Sequence, residues 1–477
     1  MEGMATQTRT LQSINPATGE LIEEFAAMGE AEVDAAVEAA HAAFPDWRRR
    51  GVAGRAGLMR KAAAVLRDDV ERLAGVITAE MGKPLGESRA EVEKCAFCCE
   101  WYAEHGEEFL RDTPSPSDSP HSFVAFEPIG VVLAVMPWNF PLWQVFRFAA
   151  PGLTAGNTAV LKHAANVSRC ALEIEDVFRR AGFPENVFRT LLIPGSAVSR
   201  VIEHPRVRAV TLTGSDSTGS RVAASAGEHI KKTVLELGGS DAFIVLDDAD
   251  LEQAAQVGVR SRFQNCGQSC IAAKRFIVVE SVAGEYERLV VEQARALVVG
   301  DPHDQATTMG PLAREDLRES LEDQLRRSLA EGARLLTGGR RVGDRGWFFE
   351  PTVITDCTPD TTAFREETFG PLLAVMRVRD EEHAVDVANA SQFGLGGNVW
   401  TRDTARGIDV ARRIDTGGVF VNGMTHSDPR LPFGGVKRSG YGRELSVFGI
   451  REFVNIKTIW VGESASGAGQ RGAATVE

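Results

Sequence analysis

The chain has 477 residues, 43% hydrophobic and 25% charged, ordinary for a globular protein, and at ~150 residues per domain its length suggests two or three domains. A formal net charge of −13, with lysine and arginine scattered rather than striped, argues against a nucleic-acid partner; no run approaches the ~18 apolar residues of a membrane span. Seven unevenly spaced cysteines and no secretory pattern in residues 1–20 predict a reduced chain in the cytoplasm, without a disulfide framework and with a small-molecule ligand.

Residues 30–110 read as helices, because "AEVDAAVEAAHAAF" and "RAGLMRKAAAVLRDDVERLAGVITAEMG" repeat apolar positions every three or four residues. Cys95, Cys98 and Cys99 share one helical face, with His105 two turns further on. A zinc site there would need a second ligand pair from elsewhere, so packing of buried thiols is preferred and no metal is expected. The prolines of "DTPSPSDSP" (112–120) end the helical layer, and the extended segment "HSFVAFEP" follows. From Gly130 the chain alternates short β-branched runs with helices near 166–181, 196–203, 217–228 and 250–265, the pattern of a parallel sheet covered by helices. A second such set begins at "AAKRFIVVE" and ends near "GGVFVNG" (417–423), so two α/β domains meet near residues 236–240. The tail 462–477 is poor in large apolar residues and is expected to be disordered.

Four positions invite a chemical reading. "VTLTGSDSTG" sets Gly214 and Gly219 where a strand turns into a helix, which aims free N–H groups at an anion, although such a turn is also ordinary punctuation. Lys162 ends the strand "TAVLK", the edge at which nucleotides bind open sheets. Glu236 ends "TVLE" before two glycines and is either a solvated strand end or a carboxylate held in a cleft. "FQNCGQSC" (263–270) surrounds Cys266 and Cys270 with polar residues; an inert buried thiol is the plainer reading, a thiolate nucleophile the sharper one.

Taken together with "PWNFP" (137–141), "AGNTAVLKHA" (155–164), "TLTGS" (211–215), "LELGGSDAFIV" (235–245), "NCGQSC" (265–270), "REETFGP" (365–371) and "PFGGVKRSGYGRE" (432–444), these positions resemble the NAD(P)-dependent aldehyde dehydrogenase superfamily, and within it the bacterial succinate-semialdehyde dehydrogenases. The resemblance runs from residue 14 to residue 460. It implies an α/β fold of two Rossmann-like parallel-sheet domains plus a small β oligomerisation arm. The dinucleotide-binding domain would comprise residues 1–111 and 129–237, the catalytic domain 238–449, and the arm 112–128 and 450–461 of a homodimer or homotetramer. It implies Cys270 as nucleophile, with Cys266 left to packing, Glu236 as general base, and Asn139 with the Cys270 N–H as the oxyanion hole. NAD or NADP would be held by Trp138, Lys162, Gly214, Ser215, Gly219, Glu367 and Phe369.

For the substrate, Arg147 resembles a clamp on a distal carboxylate and Ser427 a second contact; a further arginine of the family is replaced by Gln264, for which Arg262 or Arg430 would compensate. An arginine among Val145, Phe146, Phe148 and Ala149 needs an anionic partner in any case. NAD-preferring relatives carry a glutamate at the position of Ala165, and His163 replaces a common proline, so both cofactors are expected. The rival readings are oxidation of another small aldehyde, a CoA-acylating dehydrogenase, against which Glu236 argues, and a non-catalytic protein on this fold.

Overall fold

The computed structural model describes residues 10–462, so nearly all of the tail expected to be disordered lies outside the described residues. It opens with an antiparallel hairpin, Thr10–Ile14 against Leu21–Ala26, turned by "NPATG". Four helices follow, Glu30–Arg49, Gly51–Asp68, Val70–Met81 and Leu85–Phe109. In the last, Cys95, Cys98 and Cys99 are all buried among apolar neighbours, while His105 stacks on Trp101 at 3.6 Å between ring centroids.

The first sheet has the strand order Gly440–Tyr441, Lys232–Glu236, Val207–Thr213, Val131–Met136, Thr158–His163, Phe188–Thr190, with the last five mutually parallel. The chain starts this sheet in the middle, at Val131–Met136, builds outward on one side and then returns to the other. That leaves a switch point between Val131–Met136 and Val207–Thr213, where the connecting loops diverge, the place at which open α/β sheets bind ligands. The run "VVLAVM" is buried along its whole length because helices cover both faces.

The second sheet runs Arg334–Thr337, Thr352–Thr355, Leu372–Val378, Ala273–Val279, Asp241–Val245, Gly396–Trp400, Gly418–Val421, parallel except for its first strand. The sheets part between Glu236 and Asp241. One boundary differs from the range 238–449 expected for the second domain: Gly440–Tyr441 crosses back to pair antiparallel with Leu235 and Glu236. Glycine makes the crossing feasible, since a Cβ on Gly440 would lie 2.0 Å from the Leu235 carbonyl oxygen.

Val454–Val461 pairs along its length with His121–Pro128, and Thr113–Pro114 adds a short third strand from within the proline-rich stretch. Ile456, Trp460 and Val461 are exposed on this arm. Among the described residues no helix is long and apolar enough to cross a membrane.

Candidate active site

The helix Leu251–Phe263 stops two residues short of its expected end because Asn265 and Cys266 both turn left-handed, at φ 54°, and Gly267 follows at φ 71°. Left-handed backbone costs an L-residue roughly 1–2 kcal/mol, so the turn needs support. The polar residues around the cysteines supply it. The Asn265 N–H donates to Glu87 Oε2 at 2.9 Å, and its Nδ2 donates to the carbonyls of Asn139 (2.8 Å) and Gln268 (3.0 Å). Gln268 Nε2 donates to the Asn265 carbonyl at 3.1 Å, while its Oε1 accepts from the Ala313 N–H at 2.9 Å. A Cβ on Gly267 would stand 2.4 Å from the Gly370 carbonyl oxygen, so only glycine fits there. This turn sends the two thiols in different directions. Cys266 is 1% exposed in the apolar core of the second domain. Cys270 lines a cavity of about 690 Å³ together with Arg147, Gln264, Ser427, Trp143 and Phe433.

Burial pushes the Cys270 thiol up to about 12, and the charges of Arg147 and Lys274 pull against that rise. Lys274 was not singled out by sequence; its only mark is a position four residues after the cysteine. It is buried, donates to the carbonyls of Ser269 (2.9 Å) and Cys270 (2.8 Å), and stands 3.5 Å from Glu367 Oε1. Asn139 follows the carboxyl end of Val131–Met136, and one Nδ2 proton goes to the Gln268 carbonyl at 3.1 Å. The second proton remains for an oxyanion.

Glu236 is 2% exposed, and among the described residues neither carboxylate oxygen has a hydrogen-bond partner. Burial pushes its carboxyl well above the usual range, the neighbouring Glu444 carboxylate pushes it further, and Arg147 and Arg443 oppose both. A Cβ on Gly434, at φ 156°, would lie 2.7 Å from Glu236 Oε1. Arg147 has an anionic partner within the chain: its Nε is ion-paired with Glu444, the two side chains being 2% and 4% exposed. Its Nη2 donates to Thr213 Oγ1 at 3.1 Å, and the guanidinium lies 4.6 Å from the centroid of the Phe433 ring.

Of the residues expected to hold a dinucleotide, Trp138, Lys162, Gly214 and Ser215 stand at or just beyond the carboxyl ends of strands of the first sheet, and Glu367 and Phe369 lie in the loop before Leu372–Val378. Lys162 stands at a strand end, half-buried, and desolvation alone lowers its pKa, with no carboxylate of the described residues paired with it. Ser215 caps the helix Asp216–Glu228 by accepting from the Thr218 N–H at 3.3 Å. Gly219 lets that helix pack closely, since a Cβ there would be 2.5 Å from Leu237 Cδ2, and the Gly214 N–H donates to the Glu236 carbonyl at 3.0 Å. Trp138 and Phe369 meet edge to face at 5.7 Å. Glu367 accepts from the Gly239 N–H at 3.0 Å, and a Cβ on Gly238 would be 2.3 Å from its Oε2. A cation without an acid partner, a capped helix N-terminus at the carboxyl edge and no carboxylate at Ala165 fit a dinucleotide with or without a 2′-phosphate. His163 is buried and serves the fold: its Nε2 lies 2.8 Å from the Pro141 carbonyl oxygen, tying the strand end to the Asn139 loop, and burial lowers its pKa to about 4.

Among the residues expected at the substrate, Gln264 and Ser427 line the Cys270 cavity. Ser427 Oγ accepts from Trp143 Nε1 and from Lys94 Nζ, each at 2.9 Å. Neither alternative arginine is spare. Arg262 is fully buried and spends its donors on the carbonyls of Leu372 (2.6 Å), Thr368 (3.0 Å) and Gly370. Arg430 forms a bidentate pair with Asp428, at 2.8 and 2.6 Å.

Residues 4–459 match the model of the aldehyde dehydrogenase family. A protein of Mycobacterium avium (strain 104) named succinate-semialdehyde dehydrogenase, NADP(+), is 50% identical over 461 residues, 96% of this chain and 98% of its own. One of Escherichia coli (strain K12) named succinate semialdehyde dehydrogenase, NAD(P)+, is 48% identical over 448 residues, 94% and 97% of the two chains. The crystal structure of succinic semialdehyde dehydrogenase from Streptococcus pyogenes, in complex with NADP+ as the cofactor, superposes with a TM-score of 0.93 at 39% identity, covering 95% of this chain and 100% of that one. By family match, identity and superposition alike, the chain belongs to the aldehyde dehydrogenase family.

Proposed function

We propose that this protein oxidises succinate semialdehyde to succinate with NAD or NADP, through a covalent intermediate on Cys270. The observation that carries the reading is one cavity that joins the Cys270 thiol to the polar side chains of Gln264 and Ser427, in a chain half identical to proteins named for that substrate. Cys270, as thiolate, adds to the aldehyde carbon, and the alkoxide of the thiohemiacetal accepts from the free Nδ2 proton of Asn139 and the Cys270 N–H. Losing one such donor costs about 2.7–4 kcal/mol of barrier. Lys162, Ser215, Gly214, Gly219, Trp138, Glu367 and Phe369 would hold the nicotinamide cofactor, which when bound would supply the hydride acceptor. The resulting acyl group is a thioester on Cys270, and Glu236, once deprotonated, takes a proton from the water that attacks it. A buried carboxylate placed for that step favours hydrolysis over transfer to CoA. The exposed apolar side chains of the arm, Ile456 and Trp460, support assembly as a homodimer or homotetramer, and seven unpaired thiols fit a reducing cytoplasm.

Steady-state kinetics with succinate semialdehyde, glutarate semialdehyde and butanal, each with NAD and NADP, test the reading. Succinate semialdehyde should show the highest kcat/KM; a higher value for butanal overturns the substrate, and no NAD(P)H from any aldehyde overturns the enzyme.

A further inference from the structure

We infer that Lys94, on the helix Leu85–Phe109, is the cation that meets the distal carboxylate of the substrate, an inference that rests on the semialdehyde reading above. Three cationic side chains line the Cys270 cavity: Lys94, Arg147 and Arg260. Arg147 already has its charge matched by Glu444. Arg260 is exposed, so water screens it. Lys94 differs from both. Its Nζ lies 4.1 Å from the centroid of the Trp143 ring and 2.9 Å from Ser427 Oγ, and among the described residues no carboxylate forms an ion pair with it. Desolvation, and after it the charge of Arg147, lower its pKa to about 8, against a weaker opposing pull from the thiols of Cys95 and Cys98 and from Glu91.

The neighbouring hydroxyl completes the arrangement. Ser427 Oγ accepts from both Lys94 Nζ and Trp143 Nε1, which uses its two lone pairs and leaves its own proton to be given away. Lys94 and Ser427 therefore present an N–H and an O–H donor side by side, the pair that a carboxylate's two oxygens take up. Lys94 and Ser427 also line a second hollow, with Phe97, Met424 and His426, adjoining the cavity on the side of this pair. The pair therefore lines the passage from the Cys270 cavity into this hollow, where a substrate held by its aldehyde at Cys270 would direct its other end. An aldehyde lacking the carboxylate leaves Lys94 as it is and gains nothing from it.

The test compares wild type, Lys94→Met and Lys94→Arg on succinate semialdehyde and butanal, with calorimetric titration of succinate as a readout independent of turnover. A charge-assisted contact of this kind is worth about one to two decades. Lys94→Met should lower kcat/KM for succinate semialdehyde roughly 10- to 100-fold, chiefly through KM, weaken succinate binding by a similar factor, and change butanal less than about threefold. Lys94→Arg should recover most of the loss. Equal losses on both substrates, meaning that Lys94 only positions Trp143 and Ser427, overturn the inference, as does an unchanged KM for the semialdehyde. If wild type itself shows no preference for the semialdehyde, the functional reading fails first and the inference falls with it; a preference that survives in Lys94→Met sinks the inference alone.

Discussion

Replacing Arg147 by methionine should destabilise the protein far more than loss of a surface charge. Both members of the Arg147–Glu444 pair are almost fully buried, at 2% and 4% exposure, and the Glu444 carboxylate lies close enough to Glu236 to raise its proton affinity. Removing the guanidinium leaves two buried carboxyls with the ion-pair partner of Glu444 gone, and breaking a buried pair from one side costs roughly 3–5 kcal/mol. For a unit of 150–250 residues unfolding at about 2–4 °C per kcal/mol, the expected fall in Tm is roughly 6–20 °C. Arg147→Met/Glu444→Gln removes both charges and should regain most of it. The pH dependence has a definite sign. Burial raises the folded-state pKa of Glu444, so its contribution to stability is greatest below the ordinary carboxylate range and is lost as pH rises through the raised value. Without Arg147 that loss deepens, so the Tm deficit should be large at pH 8 and shrink toward pH 5. Differential scanning calorimetry of wild type, Arg147→Met, Glu444→Gln and the double variant at both pH values measures this. Deficits under about 3 °C, or single-variant deficits that simply add in the double variant, would refute the pairing and return the guanidinium to the substrate.

Cys270→Ala should abolish NAD(P)H formation while Cys266→Ala, which alters only a packed core position, keeps most of it; equal losses would sink the assignment of the nucleophile. Glu236→Gln should release a burst of about one NAD(P)H per active site in stopped flow and then turn over slowly, because the thioester persists; unchanged steady-state turnover counts against Glu236 as base. Wild-type kcat should climb with pH through the raised pKa of Glu236. Glu444→Gln removes a like charge and should move that limb to lower pH, whereas a shift to higher pH contradicts the coupling. With Ala165 in place of a carboxylate, kcat/KM for NAD and NADP should differ by less than ~1000-fold, or roughly 4 kcal/mol.

Much of this protein was legible in the chain because its signals are local. Periodicity marked the helices and the buried strands, since 3.6- and 2-residue repeats follow from backbone geometry alone. The sites of Gly214, Glu236 and Cys270 were visible as glycines and polar residues at strand ends and turns, and the ordered motifs pointed to the family. What sequence could not supply was pairing across distance. The two cysteines of "FQNCGQSC" differ by a left-handed turn held by Glu87 and Asn139, more than a hundred residues away. Arg147 needed an anion by the cost of burying its charge, but only the crossing-back of the chain at Gly440–Tyr441 shows that anion to be Glu444. Lys94 sits beside three thiols on a helix whose periodicity carries no trace of Ser427, 333 residues on, and its exposure to the Cys270 cavity follows from helix packing alone. Charges are matched through space, so the partner of a buried cation is set by the tertiary structure rather than by its neighbours in the chain.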